Sequence, residues 1–187
     1  MEFLKAGFYY ADLIIGFSFP VFFYLIYRTD KAGKTIWRLF WLGAVIGLAW
    51  EVPIFILSAE HTYFPVISWI RPLPFHYIVF MIAHTLWDGG LFLIGVWIVR
   101  IFCLPPWFNK FKVKELAVLV IYGQISSLMV EASSVLNDGW VYVTGYGWNP
   151  ILFELAGHPI TLLPQLIWLA APVVYYLVIV TCFHDGI

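Results

Sequence analysis

Five ionisable side chains stand inside long apolar runs of this 187-residue chain: Asp12, Glu51, His84, Asp88 and Glu131. Such a group within a membrane span costs roughly 2.5–3.5 kcal/mol even on lenient insertion scales, and by default it marks a functional site. The sharpest local feature is His84-Thr85-Leu86-Trp87-Asp88, in which His84 and Asp88, four residues apart, share one helix face. An imidazole held by a carboxylate can shuttle a proton; the same pair can instead tie helices together by hydrogen bonding. Gly89 and Gly90 follow and let a neighbouring helix come close. Glu51 sits in Trp50-Glu51-Val52-Pro53. There Pro53 removes a backbone donor and frees a carbonyl about one turn earlier, which predicts a kink beside the carboxyl. A carboxyl withdrawn from water suits a general acid; its structural alternative is an acid that donates a hydrogen bond within the bundle. Gln124, Ser127 and Glu131, spaced by three and four, form one polar stripe. Glu131 is expected either to work with Glu51 in acid/base chemistry or to bond serine hydroxyls. Asp12, near Tyr9 and Tyr10, is expected to be an interfacial residue reaching water.

The elements that must position these groups follow from composition. The chain is 63% hydrophobic, 20% aromatic and only 11% charged, with a mean hydropathy of +0.89. A soluble domain carries about 25% charged residues, so an ordinary water-soluble globule is excluded. A net charge of -1, with basic residues confined to short clusters, also argues against nucleic-acid binding. A bilayer core about 30 Å thick needs roughly 20 apolar residues of helix. Five segments qualify, at about 7–27, 36–58, 76–103, 114–136 and 160–183. The fold class is therefore an all-α integral membrane bundle of five transmembrane helices, a single domain over 1–187. The amino terminus lacks a cleavable-leader pattern, so the first run is expected to be retained as a span. Cys103 and Cys182 show no disulfide or metal-ligand spacing and read as packing residues.

Eight of the ten basic residues lie in or beside the first and third connections: Arg28, Lys31, Lys34, Arg38, Arg100, Lys110, Lys112 and Lys114. Those connections are expected to be cytoplasmic, which puts the amino terminus on the non-cytoplasmic side and the carboxyl terminus in the cytoplasm. The other two connections, about 59–75 and 137–159, are long for so small a bundle and should form a lid over the outer end. At 1.5 Å per helical residue, Glu51, His84, Glu131, Gln165 and Trp168 fall in one layer roughly 8–18 Å below that end. Asp88 lies one turn deeper than His84. A cavity at this depth is the economical reading. Trp50, Trp87 and Trp168 lie in the same layer, where aromatic faces can either stabilise a cation or simply pack.

Four segments carry a resemblance. Trp50-Glu51 before an apolar run, Leu86-Trp87 before glycines, Tyr122-Gly123-Gln124-Ile125, and Gln165-Leu166-Ile167-Trp168 with Pro172 touch four of the five spans. Together they resemble the emopamil-binding protein family, whose members share the EXPERA membrane domain and include the sterol Δ8–Δ7 isomerase. The resemblance implies that Glu51 is the family's second-helix carboxylate, Gln165 its last-helix amide and Trp168 its cation-facing tryptophan. Gly157-His158-Pro159 adds to it. Two positions depart: Gly47 stands where the isomerase has a histidine, and Phe80 where it has a third-helix glutamate. His84 and Asp88, one and two turns beyond Phe80, would supply the missing chemistry. Trp50-Glu51 also resembles, more distantly, the integral-membrane terpene cyclases, which open an epoxide with a carboxylic acid.

These readings predict an intramembrane isomerase or cyclase acting on a sterol, terpenoid or other polycyclic lipid by protonation, carbocation formation and deprotonation. Glu51 is the expected acid, His84 with Asp88 the proton-transfer pair, and Trp168 with Trp87 the cation stabilisers. Trp50 and Gln124 line the substrate, while Gln165 and Glu131 orient it or relay protons. No dinucleotide loop, phosphate loop or HExxH helix occurs, so neither cofactor nor metal is expected. The expected partners are an apolar lipid substrate, sterol or isoprenoid, and membrane lipids, with a homodimer left open. The expected location is the endoplasmic reticulum if the source is eukaryotic. The competing expectation is a non-catalytic sterol- or lipid-binding protein of the sigma-receptor type.

Overall fold

The computed structural model describes residues 2–29, 31–58 and 62–183. Five helices account for most of them: α1 (Glu2–Tyr27), α2 (Lys31–Ile56), α3 (Tyr77–Phe102), α4 (Val113–Leu136) and α5 (Leu162–Cys182). Each is long and apolar enough to cross a membrane. The bundle is centred on α2 and α3; α1 packs against both, while α4 joins α3 to α5 and α5 also reaches α2. Large apolar side chains cover the outside: Ile14, Val21 and Leu25 on α1, Trp97 on α3, and Ile121 and Met129 on α4 are all exposed. Water would not favour such a surface, and hydrocarbon does.

The helix limits match the expected spans within two residues, except that α1 and α2 each begin five residues early, at Glu2 and Lys31. Helix α2 starts at Lys31, ahead of its apolar run, because a helix can extend into the headgroup region with lysines on its first turns. Prolines 20, 53 and 172 all lie inside helices; α2 continues a turn past Pro53, and the Leu57 N–H closes on the Pro53 carbonyl at 2.9 Å.

At the end of the bundle where α1 begins, the two long connections contain two antiparallel ribbons. Strand β1 (Ile67–Trp69) pairs with β2 (Trp140–Tyr142), setting Ile67 opposite Tyr142 and Trp69 opposite Trp140. This ribbon joins the second connection to the fourth. Arg71 bridges to Asp138 at 3.2 Å, and the Tyr9 hydroxyl donates to the Gly139 carbonyl at 2.8 Å, which latches α1 to the ribbon. The Ser134 hydroxyl, at the end of α4, donates to the Trp140 carbonyl and accepts from the Trp140 N–H, each at 2.7 Å.

The second ribbon, β3 (Ile151–Leu155) with β4 (His158–Thr161), turns through Ala156 and Gly157, both at positive φ, as a two-residue hairpin of matching twist requires. It hands the chain straight into α5. The all-α expectation therefore holds for the spans, and the ribbons are an addition confined to the connections.

The opposite end is closed by a buried carboxylate. Glu115, fully buried at the start of α4, accepts from the Phe108 N–H at 3.1 Å and pairs with Lys112 at 3.1 Å; the Tyr176 hydroxyl of α5 lies 3.3 Å from it. Four donors converge on that corner, because the Lys112 N–H also reaches the Tyr176 hydroxyl at 2.7 Å.

Candidate functional site

His84 projects from α3 between two carboxylates on two other helices. Its Nε2 lies 2.8 Å from Asp12 Oδ2 of α1, and its Nδ1 lies 3.6 Å from Glu51 Oε2 of α2. All three side chains are nearly buried, at 14%, 12% and 11% exposure. Helix α1 can come this close because Gly16, one turn beyond Asp12, lies on Ala83: a Cβ there would fall 2.8 Å from the Ala83 carbonyl oxygen. The Trp87 indole fixes the same turn by donating to the Asp12 backbone carbonyl at 3.0 Å.

Asp88 is placed differently from expectation. As a helical neighbour at i+4 it shares a face with His84, yet it makes no hydrogen bond or ion pair with it among the described residues. Both ring nitrogens already face carboxylates from other helices, and the Asp88 carboxyl lies one turn deeper against Gly47 of α2, where any Cβ would collide with it. The paired unit is Asp12–His84–Glu51, not His84–Asp88. Asp12 is corrected as well: it is a buried partner of the imidazole and not an interfacial residue in water. The space at position 47, where the resemblance would put a histidine, is occupied by Asp88.

These groups open into a cavity of about 340 Å³. That volume falls in the range of small-molecule sites, which are mostly apolar with a few convergent polar groups. Asp12, Glu51, His84, Asp88 and Glu131 all line it, with Trp50, Trp87 and Trp168 from the helices and Trp69, Trp140 and Tyr142 from the β1–β2 ribbon. Trp168 stacks on Phe92 at 5.3 Å between centroids and approaches Trp50 at 6.1 Å. Over His84, Trp140 lies at 4.9 Å and Phe55 at 5.2 Å.

Two expected substrate-lining residues do another job. The Gln124 amide donates to the Gln165 backbone carbonyl at 2.9 Å, and the Gln165 amide donates to the Ser127 hydroxyl at 3.2 Å. They clasp α4 to α5, and Gln124 and Gln165 are not among the cavity walls. Glu131 pairs with neither Glu51 nor a serine: its Oε1 accepts from the Thr161 N–H at 2.9 Å and lies 3.2 Å from the Thr161 hydroxyl.

No family model, curated protein or solved structure matches the chain.

Tyr142 is the principal cavity residue that the sequence reading missed. Burial, with the carboxyls of Glu51, Glu131 and Asp88 around it, pushes its phenol well above the ordinary range, so it faces the cavity as a hydrogen-bond donor. Nothing in Gly139-Trp140-Val141-Tyr142 marks it locally; only pairing with β1 brings it over the site. Among the described residues no three His, Cys, Asp or Glu side chains are arranged to hold one metal ion. The imidazole shows why, since its two nitrogens point to carboxylates on opposite sides.

What the arrangement can do is move protons. A His N–H given to Asp12 fixes the ring and leaves the other nitrogen to exchange a proton with Glu51, while Glu51 also borders the cavity.

Proposed function

We propose that the protein is an intramembrane isomerase or cyclase for a sterol, terpenoid or other polycyclic lipid. The single observation that carries this reading is the Asp12–His84–Glu51 unit opening into an aromatic-walled cavity. Glu51 gives its proton to an alkene carbon or an epoxide oxygen of the substrate. A carbocation results, and the indole faces of Trp168, Trp50 and Trp87 stabilise it. Loss of a proton from a neighbouring carbon forms the new double bond, and that proton returns to the Glu51 carboxylate directly or through His84. Atoms balance, the product has the mass of the substrate, and the acid is regenerated. The 3.6 Å separation between His84 and Glu51 is of the kind that tightens when a substrate is bound. The reading agrees with the resemblance to the emopamil-binding protein family, and the positions of Glu51, Trp50 and Trp168 on one cavity support that resemblance.

The test is mass spectrometry of apolar extracts from membranes carrying wild-type protein or Glu51→Gln, incubated with a Δ8 sterol and a panel of epoxidised isoprenoids. A product of unchanged mass and new retention time, absent from the variant, is expected. No product from any of them, together with tight retention of a sterol or an amine, overturns it.

A second reading has its own observation. Asp12, Glu51, Asp88 and Glu131 present four carboxyls to the cavity against one imidazole, which suits retention of a cationic or hydroxylated lipid without turnover. In that case the protein is a lipid-binding protein of the sigma-receptor type.

The same proposal sets the ribbon-bearing end and the amino terminus on the non-cytoplasmic side, in the endoplasmic reticulum if the source is eukaryotic. Its support is that Arg28, Lys34, Arg38, Arg100, Lys110 and Lys114, all exposed, gather at the opposite end of the bundle. A protease-cleavable tag at the amino terminus should be protected in sealed microsomes and cut only after detergent is added; cutting in intact microsomes reverses the orientation.

A further inference from the structure

Glu131 enters the cavity from α4, a helix that supplies no part of the Asp12–His84–Glu51 unit. It is 2% exposed. Its Oε1 is engaged by Thr161, at the junction of β4 and α5, and Oε2 is buried with no hydrogen-bond partner among the described residues. Leaving a buried carboxyl oxygen unpaired is costly, and Thr161 holds this one in place inside a ligand-sized space. Trp69 Nε1 and Asp88 Oδ2 are unpaired in the same way and line the same cavity. A pure hydrocarbon would satisfy none of these atoms.

We propose that Glu131 recognises a hydroxyl group on an otherwise apolar ligand, with Oε2 accepting the hydroxyl hydrogen while Oε1 stays on Thr161. This rests on the reading that the cavity takes an apolar lipid, and it specifies a polar group of that lipid separate from the reacting carbon. A hydroxyl fits better than an ammonium because one free acceptor satisfies its one donor, whereas an ammonium brings three. Val130, Pro164 and Ile167 line the cavity as apolar walls; of the two nearby serines, Ser127 is already engaged with Gln165 and Ser133 is exposed. The hydroxyl oxygen also accepts, and the Trp69 indole and Tyr142 phenol are donors on the same cavity.

The experiment measures equilibrium binding to the purified full chain in detergent by tryptophan fluorescence. The probes are a Δ8 sterol and its 3-O-methyl ether, and geranylgeraniol and its O-methyl ether. Wild-type protein should bind the alcohol of at least one pair about tenfold or more tightly than its ether, as loss of one hydrogen bond to a carboxylate predicts. In Glu131→Gln the amide oxygen stays with the two Thr161 donors, so the NH2 faces the ligand and donates to an ether as readily as to an alcohol. That variant should bind both members of the pair alike.

Equal affinity for alcohol and ether in the wild type overturns the proposal. So does discrimination that survives in a Glu131→Gln protein of unchanged Tm, or the absence of saturable binding of all four probes. Alcohol preference, with no conversion by the wild type of these probes or of the epoxidised isoprenoid panel, would support the hydroxyl site and defeat the isomerase or cyclase reading. Conversion without alcohol preference would do the reverse.

Discussion

His84→Ala is expected to destabilise the bundle by about 3–5 kcal/mol, the loss typical of removing one partner from a buried charge pair. Among the described residues the imidazole is the one basic group set between Asp12 and Glu51, at 2.8 Å and 3.6 Å, and its removal leaves two largely buried carboxyls without a basic partner between them. Truncation also withdraws the ring from contact with Trp140 and Phe55. Thermal unfolding in detergent should therefore show a large fall in Tm. The double variant His84→Ala with Asp12→Asn should recover part of it, because the amide no longer requires a counter-charge. A loss below about 1 kcal/mol, the level of an exposed ion pair, or no coupling between the two substitutions, would show that the three groups are not the unit described.

Why this unit was only half legible in the sequence is a matter of which distances a sequence fixes. Depth along a helix is set by a constant rise per residue, so Glu51, His84, Glu131 and Trp168 could be assigned to one layer, and one cavity does contain them. Rotation and approach of neighbouring helices are not set by that rise. Spacing along one helix is known, and it points to Asp88 as the partner of His84. The partner lies on α1 instead, because Gly16 on Ala83 brings Asp12 into reach.

Gln124 and Gln165 show the same limit from the other side. Their depth was right for a substrate contact, but their amides face each other's helix and close α4 on α5. The long connections were legible as a lid only in outline. Their pairing sets Trp69 opposite Trp140 across two helices of intervening chain, and no local pattern encodes that register. The placing of Tyr142 over the cavity is a consequence of it, whereas the Thr161 hold on Glu131 comes from the β3–β4 hairpin that leads into α5.

Among the carboxyls of the cavity, Glu51→Gln is expected to lower turnover the most, by about 100- to 10,000-fold, the range that a positioned general acid contributes. The amide keeps the shape and polarity of the side chain but has no acidic proton to give, so affinity for an alcohol probe should stay within about threefold, less than the effect of one hydrogen bond. Asp12→Asn should cost less, because Asp12 is a positioning residue. It borders the cavity but acts through the His84 ring, and the Asn oxygen can still accept from Nε2 and hold the ring. Its effect should fall on kcat with KM nearly unchanged. Asp88 lies one turn deeper, against Gly47, with no link to the imidazole among the described residues. Asp88→Asn should retain most of the activity. Initial rates with the substrate identified by mass spectrometry give the ranking directly. If Glu51→Gln keeps more than about a tenth of the wild-type rate while Asp88→Asn is inactive, the acid is Asp88, and the imidazole takes no part in delivering the proton.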